Sequence, residues 1–288
     1  MIGIISALGA SFSWTYACFL WRQQTRYFSS IHVNVIKNII AFIIFLPIIF
    51  TFDFISNFKY VCILLLSGII GIAIGDSLYI TALKKIGTRK TLTVEATSPI
   101  IASLLGSFML NEVLQLKVWI GVLIVTISLI GIASQNVDEN NNFKFNSINQ
   151  KGFFFAFLSV FCAVVAAALS RIVLLNSSLN PFQTTEIRLL GSVLALLLSV
   201  NLNLIRSIKE LPPANKIRLF YATFLGTNLG ILLQQNVFQS LPIGLGWTLL
   251  STSPAISLLF ARAEGEKVNW KSIVLTGTTI LGVSIVFI

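Results

Sequence analysis

EATSPIIASLL spans Glu95 to Leu105, and LSTSPAISLLF spans Leu250 to Phe260. Both hold Thr-Ser-Pro, at Thr97-Ser98-Pro99 and Thr252-Ser253-Pro254, 155 residues apart. Each lies in an apolar run. A proline there removes one backbone hydrogen bond and kinks a helix, and a neighbouring hydroxyl can satisfy the freed carbonyl. The phrase occurs twice because the chain is duplicated. At the same offset Gly71 matches Gly226 and Gly75 matches Gly230, so each half carries a small-xxx-small pair that lets two helix backbones approach closely. At an offset of 149, Gly3 matches Gly152, Ala7 matches Ala156 and Phe12 matches Phe161. Lys37 corresponds to Arg188 at 151, and Glu112 to Glu266 at 154. The expected units are residues 1–135 and 151–288, joined by a polar linker at 136–150.

The medium follows from composition. The chain is 56% hydrophobic and 10% charged, with a mean hydropathy of +0.89. A soluble fold cannot bury that much apolar surface, so lipid is the solvent for most of it. Ten apolar runs are long enough to span, near 3–21, 32–51, 60–80, 92–110, 117–134, 152–170, 183–204, 217–236, 245–262 and 271–288. The period-2 alternation of a membrane barrel is absent. The first charge, Arg22, follows the first run, so that run reads as a retained helix and not a cleaved signal peptide. The expected fold is an all-α integral membrane protein with ten transmembrane helices, as two inverted five-helix repeats around a central cavity.

Inversion follows from an odd number of helices per half, and the charges agree. The odd-numbered loops carry fifteen Lys and Arg, among them Lys84, Lys85, Arg89 and Lys90 in loop 3. The even-numbered loops carry three: Lys59, Lys117 and Arg171. The positive-inside rule then puts the odd loops in the cytoplasm and both termini outside. The net charge of +10 is thus an orientation signal; no basic run with interleaved aromatics suggests nucleic acid. Inverted repeats in a polytopic chain are the mark of secondary transporters, since each half can adopt in one state what the other adopts in the opposite state.

Two five-helix halves, GIIGIAIGDSLYITALKKIG (68–87), TSPIIASLLGSFMLNE (97–112) and TSPAISLLFARAEGE (252–266) together resemble the EamA family of the drug/metabolite transporter superfamily. The resemblance covers nearly the whole chain. It rests on Trp14 in the first helix, Lys37 and Arg188 in the second helix of each half, Pro99 and Pro254 in the fourth, and Glu112 and Glu266 closing it. It implies a ten-helix carrier for amino acids, other metabolites or drugs, often exported, in a bacterial inner (plasma) membrane. Many members are drawn with cytoplasmic termini, whereas the charge count here places both outside.

Charges within spans are costly and need a reason. Lys37, Asp76 and Glu95 are the deep ones, and Lys37 and Glu95 are expected to pair across the bundle. Glu186 and Arg188 start the seventh span, where snorkelling to the interface is the default. Asp76 and Glu95 have no second-half counterparts, those positions being Ile231 and Leu250. A carboxyl in a low-dielectric cavity can carry a proton or bind an amine. The candidates for a cavity wall are Trp14, Lys37, Asp76, Tyr79, Glu95, Ser98, Arg188, Asn228, Gln234, Trp247 and Ser253. Gly71, Gly75, Gly226 and Gly230 are the packing positions, and Pro99 and Pro254 the hinges. Trp21, Trp119 and Trp270 lie near span ends, where an interfacial belt is expected.

Catalytic signatures are missing: one histidine, His32, and no metalloprotease, nucleophile-elbow or phosphate-loop motif. Cys18, Cys62 and Cys162 lie in apolar runs without a CxxC, as small hydrophobes rather than metal ligands or a disulfide. No cofactor is expected. The expected function is alternating-access transport of a small polar or amphipathic metabolite by a monomer, with a coupling proton as an open option. A membrane-embedded enzyme and a passive channel are the alternatives.

Overall fold

The structure, a computed structural model, describes residues 1–54, 56–134, 147–200, 202–260 and 270–287. All regular elements among them are helical. The first half comprises α1 (Ile2–Gln24), α2 (Ser30–Phe45, prolonged by a 3-10 stretch at Leu46–Thr51) and α3 (Phe58–Ser67). From α3 the chain runs through a π-helical segment, Gly68–Gly75, into α4 (Asp76–Glu95). Next come α5 (Ser98–Met109) and α6 (Leu116–Ser134). The second half comprises α7 (Ser147–Asn176), α8 (Pro181–Leu196), a short α9 (Leu202–Glu210) and α10 (Pro213–Thr223). A second π-helical segment, Phe224–Leu229, leads into α11 (Gly230–Ser240), then α12 (Ile243–Leu250), α13 (Ser253–Phe260) and α14 (Trp270–Phe287).

Among the described residues, four stretches are long and apolar enough to cross a membrane: Ile2–Gln24, Ser30–Thr51, Phe58–Thr88 and Gln150–Asn176. Ser98–Met109, Leu116–Gly131 and Ile273–Val283 are shorter apolar helices. The apolar run at 183–204 overshoots its helix. α8 gives way to a single 3-10 turn, Val200 is extended, and Leu202 opens the separate α9, which carries exposed Arg206, Lys209 and Glu210. Most of the linker expected at 136–150 lies outside the described residues, and α7 begins within it at Ser147.

At the Thr-Ser-Pro stretches, where the sequence suggests a kink, a hinge or an opened backbone, the helices are interrupted by turns. Backbone turns occupy Ala96-Thr97 and Ser251-Thr252, and the bonds that build them repeat residue for residue. Ala96 N–H donates to Leu92 O and Ser251 N–H to Trp247 O; Ile101 N–H donates to Thr97 O and Ile256 N–H to Thr252 O. Thr97 Oγ1 donates to Val94 O at 2.7 Å, and Thr252 Oγ1 to Leu249 O at 2.8 Å. Pro99 and Pro254 are the second residues of new helices, where the first N–H groups have no intrahelical acceptor and a proline loses nothing.

The first π-helical segment holds Gly71 and Gly75, the second holds Gly226 and ends just before Gly230, and each packs on the opposite half. A methyl group added to Gly71 would lie 2.6 Å from Ala166 Cβ of α7, and one added to Gly226 would collide with Ala17 Cβ of α1. Ala17 and Ala166 are themselves 149 residues apart, so the first helix of each half seats the third helix of the other. Gly68 and Gly191 bring the chain of the first π segment and that of α8 into backbone contact, Gly68 on Arg188 O and Gly191 on Leu65 O. The chain reverses at Gly87, where φ is +82°, and the start of the fourth span follows with almost no loop.

Equivalent spans run antiparallel where they meet, α6 on α14 and, within the two broken spans, α5 on α12. Between α6 and α14, Ser128 bonds Thr278 at 2.7 Å, Gly131 faces Leu275, and Gly282 faces Ile124 and Val125. Between α5 and α12, Ser98 Oγ lies 2.7 Å from Ser251 Oγ, Gly244 faces Ser103, and Gly106 faces Ile243.

Candidate functional site

A cavity lies between the halves. Its volume, counted with the part open to solvent, is about 630 Å³. α1 contributes Trp14; the first π segment and α4 contribute Gly71, Ile72, Gly75, Asp76, Tyr79 and Glu95. From the other half come Ser159, Val160 and Ala163 of α7, Arg188 of α8, Ile231, Gln234 and Phe238 of α11, and Trp247 of α12. Several of these are repeat partners: Trp14 with Ala163, Asp76 with Ile231, Tyr79 with Gln234. The cavity therefore straddles the relation between the halves, with much of its chemistry on the first.

Of the candidate wall residues, the cavity brings together Trp14, Asp76, Tyr79, Glu95, Arg188, Gln234 and Trp247. Gly71 and Gly75, read as packing positions, also line it. The others serve elsewhere. Ser98 bonds Ser251 across the two breaks. Ser253 Oγ donates to Leu250 O at 3.2 Å. Asn228 donates to Ala41 O at 2.9 Å, joining the second π segment to α2. Gly226 seats Ala17, and Gly230 has only Leu225 O within reach of an added methyl.

Lys37 stands behind the wall, 0% exposed. It pairs with Asp76, not Glu95: Nζ donates to Asp76 Oδ2 at 2.5 Å. Asp76 opens α4, against which α2 packs, whereas Glu95 lies beyond the reversal at Gly87. Asn34 of α2 reinforces the same seam, donating to Ile72 O at 2.9 Å, Ala73 O at 3.0 Å and Ser77 Oγ at 2.8 Å. The lysine also sits 5.2 Å from the centre of the Trp21 ring. Trp21 is completely buried, and so is no interfacial anchor. It meets Trp14 edge-on at 5.3 Å, and Trp14 meets Tyr79 at 5.4 Å. Glu95 accepts the Tyr79 hydroxyl at 2.7 Å, and the Cys18 thiol is 3.5 Å from that hydroxyl.

Glu186 and Arg188 depart from the snorkelling expectation: both are buried. α8 is surrounded by α2, α3, α11 and the first π segment, so its first turns face protein. Neither Glu186 oxygen has a hydrogen-bond partner, nor do Nε and Nη1 of Arg188.

Sequence reading did not anticipate the network at one end of the cavity. Arg171 Nε donates to Glu112 Oε1, and its Nη1 to Phe238 O. Glu112 Oε2 accepts from Ile243 N–H at 2.8 Å. Four chain segments from both halves are joined there. Counting Arg171 as a loop charge hid its role; its place 149 residues after Arg22 was the available signal. Glu266, the repeat partner of Glu112, lies outside the described residues.

A helical chain with segments long and apolar enough to cross a membrane, and a cavity between two alike halves, defines an integral membrane protein. The model of the EamA-like transporter family matches residues 1–134 and again 150–288. The chain belongs to the EamA-like transporter family. No curated protein sequence matches it. A solved structure described only as a crystal structure of a protein is similar over 98% of this chain and 94% of its own, with a TM-score of 0.71 and 14% identity, a likeness of fold alone.

Proposed function

We propose that the protein is a secondary carrier with ten spans in two inverted repeats, moving a small polar or amphipathic metabolite by alternating access. One observation carries this: the cavity is walled by equivalent positions of both halves, so exchange of conformation between the halves would re-open it on the other side. The antiparallel packing of α6 on α14 and of α5 on α12 supports inversion. On the charge count the odd-numbered loops are cytoplasmic and both termini outside. Export is the direction the family resemblance implies. The Glu112–Arg171 network, joining the halves where α5 and α11 finish, is the gate at that end, with Pro99 and Pro254 starting the helices that would swing.

The test is counterflow in proteoliposomes, with amino acids, nucleosides and organic anions and cations as solutes. Saturable exchange of any of them supports a carrier. Flux without saturation or counterflow would favour a channel. Glu95 is the proposed coupling group, because it is the cavity carboxylate without a basic partner. In Glu95→Gln, transport should no longer respond to a pH gradient; an unchanged response would remove the proton from the mechanism.

A further inference from the structure

We propose that Arg188 is the docking point for an oxyanion, a carboxylate or phosphate group borne by the transported solute, an inference that rests on the carrier reading above. The argument starts from what the halves do with the same pair of positions. In the first half the basic residue of the second helix, Lys37, meets the acid that follows the π segment, Asp76, at 2.5 Å. In the second half the basic residue is Arg188, and the position of the acid is Ile231. The cation was retained and its internal partner was not.

The rest of the cavity leaves that cation without an acceptor. Arg188 is 4% exposed, and its Nε and Nη1 are buried with no hydrogen bond. Asp76 shares the cavity wall and attracts the guanidinium through space, but its hydrogen bond goes to Lys37. Glu95 shares it too, and accepts from Tyr79. Glu186 stands two residues from Arg188 on α8, a spacing that does not put side chains face to face, and it is not part of the wall. Trp247, which is, has an indole N–H without an acceptor. The Trp14 indole N–H, also on the wall, lacks one as well. Both carboxylates of the wall have donors; three donor side chains lack acceptors.

A buried guanidinium whose N–H groups lack acceptors is unfavourable, and within a membrane span such a residue marks a substrate path. The guanidinium is a planar fork suited to two parallel bonds with a carboxylate or phosphate. Trp14, Phe238 and Trp247 supply aromatic wall for an apolar body attached to that group. The solute class is therefore an organic acid with a hydrophobic or aromatic moiety.

Thermal unfolding of the purified full-length protein in detergent tests this, with phenylacetate, phenyl phosphate and neutral phenylacetamide as probes. One of the two anions should raise Tm saturably, which also decides carboxylate against phosphate, and the amide should not. Arg188→Gln should weaken the half-saturating concentration at least about tenfold. Ile231→Asp, which restores the partner found in the first half, should do the same while raising Tm without ligand. Equal shifts from amide and anions, no shift from either anion, or anion shifts unchanged in both variants would overturn the proposal. Counterflow separates it from the reading it rests on. Anion stabilisation lost in the variants, with no counterflow of any solute, would leave the Arg188 site and remove the carrier. Counterflow of a neutral or cationic solute with no anion effect would do the reverse.

Discussion

At the first break Glu95 precedes the turn and its carboxylate faces the cavity; at the second, the same position is Leu250, and α1 brings hydroxyls to the backbone instead. Ser11 Oγ donates to Leu250 O at 2.7 Å and Thr15 Oγ1 reaches Ser253 O at 3.4 Å. Their repeat partners on α7 are Val160 and Val164. Yet the two turns are made by the same backbone bonds and the same threonine cap. Duplication supplied the backbone of both halves, and the chemistry lies where the halves differ. Carboxylates from one half and a guanidinium without hydrogen-bond acceptors at Nε and Nη1 from the other give the cavity unlike chemistry on its two sides.

The largest expected effect tests that contrast directly. Asp76→Asn leaves Lys37 buried without a counter-charge and should cost about 3–5 kcal/mol. Arg188→Leu removes a charge whose Nε and Nη1 have no internal hydrogen-bond acceptor, and should be neutral or stabilising in the absence of ligand. Reversible unfolding in mixed micelles compares the two; equal losses would erase the distinction between a paired and a free cation.

A second comparison probes what the halves share. Gly71→Ala and Gly226→Ala both push a methyl group into an alanine of the opposite half, and each should cost about 1–3 kcal/mol by overpacking. Gly277→Ala, with nothing near the added methyl, is the control and should cost nothing measurable. A large difference between Gly71 and Gly226 would mean that the two seams are not equivalent.

The smaller effects concern the breaks. Ser11→Ala removes a cap that only the second break has, and should cost about 1 kcal/mol, with faster amide exchange at the second turn than at the first. Thr97→Val and Thr252→Val remove matching bonds and should cost about the same, near 1 kcal/mol or less each. Unequal losses would show that the surroundings outweigh the shared turn.

Much of this frame is legible in the chain. Offsets of 155 and 149 residues locate the glycine pairs and the breaks. What they leave open is which faces of the helices meet. Lys37 was expected on Glu95 because both are deep charges, but α2 packs against the segment that opens with Asp76. Trp21 reads as a belt residue because it ends a span; it is buried because the second π segment packs over α1 at that level. Glu186 and Arg188 read as interfacial from their place early in a span, and are buried because α8 has helices around it.

The sequence by itself determined the solvent, the duplication and the positions where the helices are interrupted. Hydropathy, repeat offset and proline sterics are properties of the chain read locally, and they survive in any packing. Only the tertiary structure decided which charges have partners. Pairing depends on distances of a few ångströms between helices far apart in sequence, set by where glycines let backbones touch. That geometry joins Lys37 to Asp76 and Arg171 to Glu112, and leaves Arg188 facing the cavity without an acceptor.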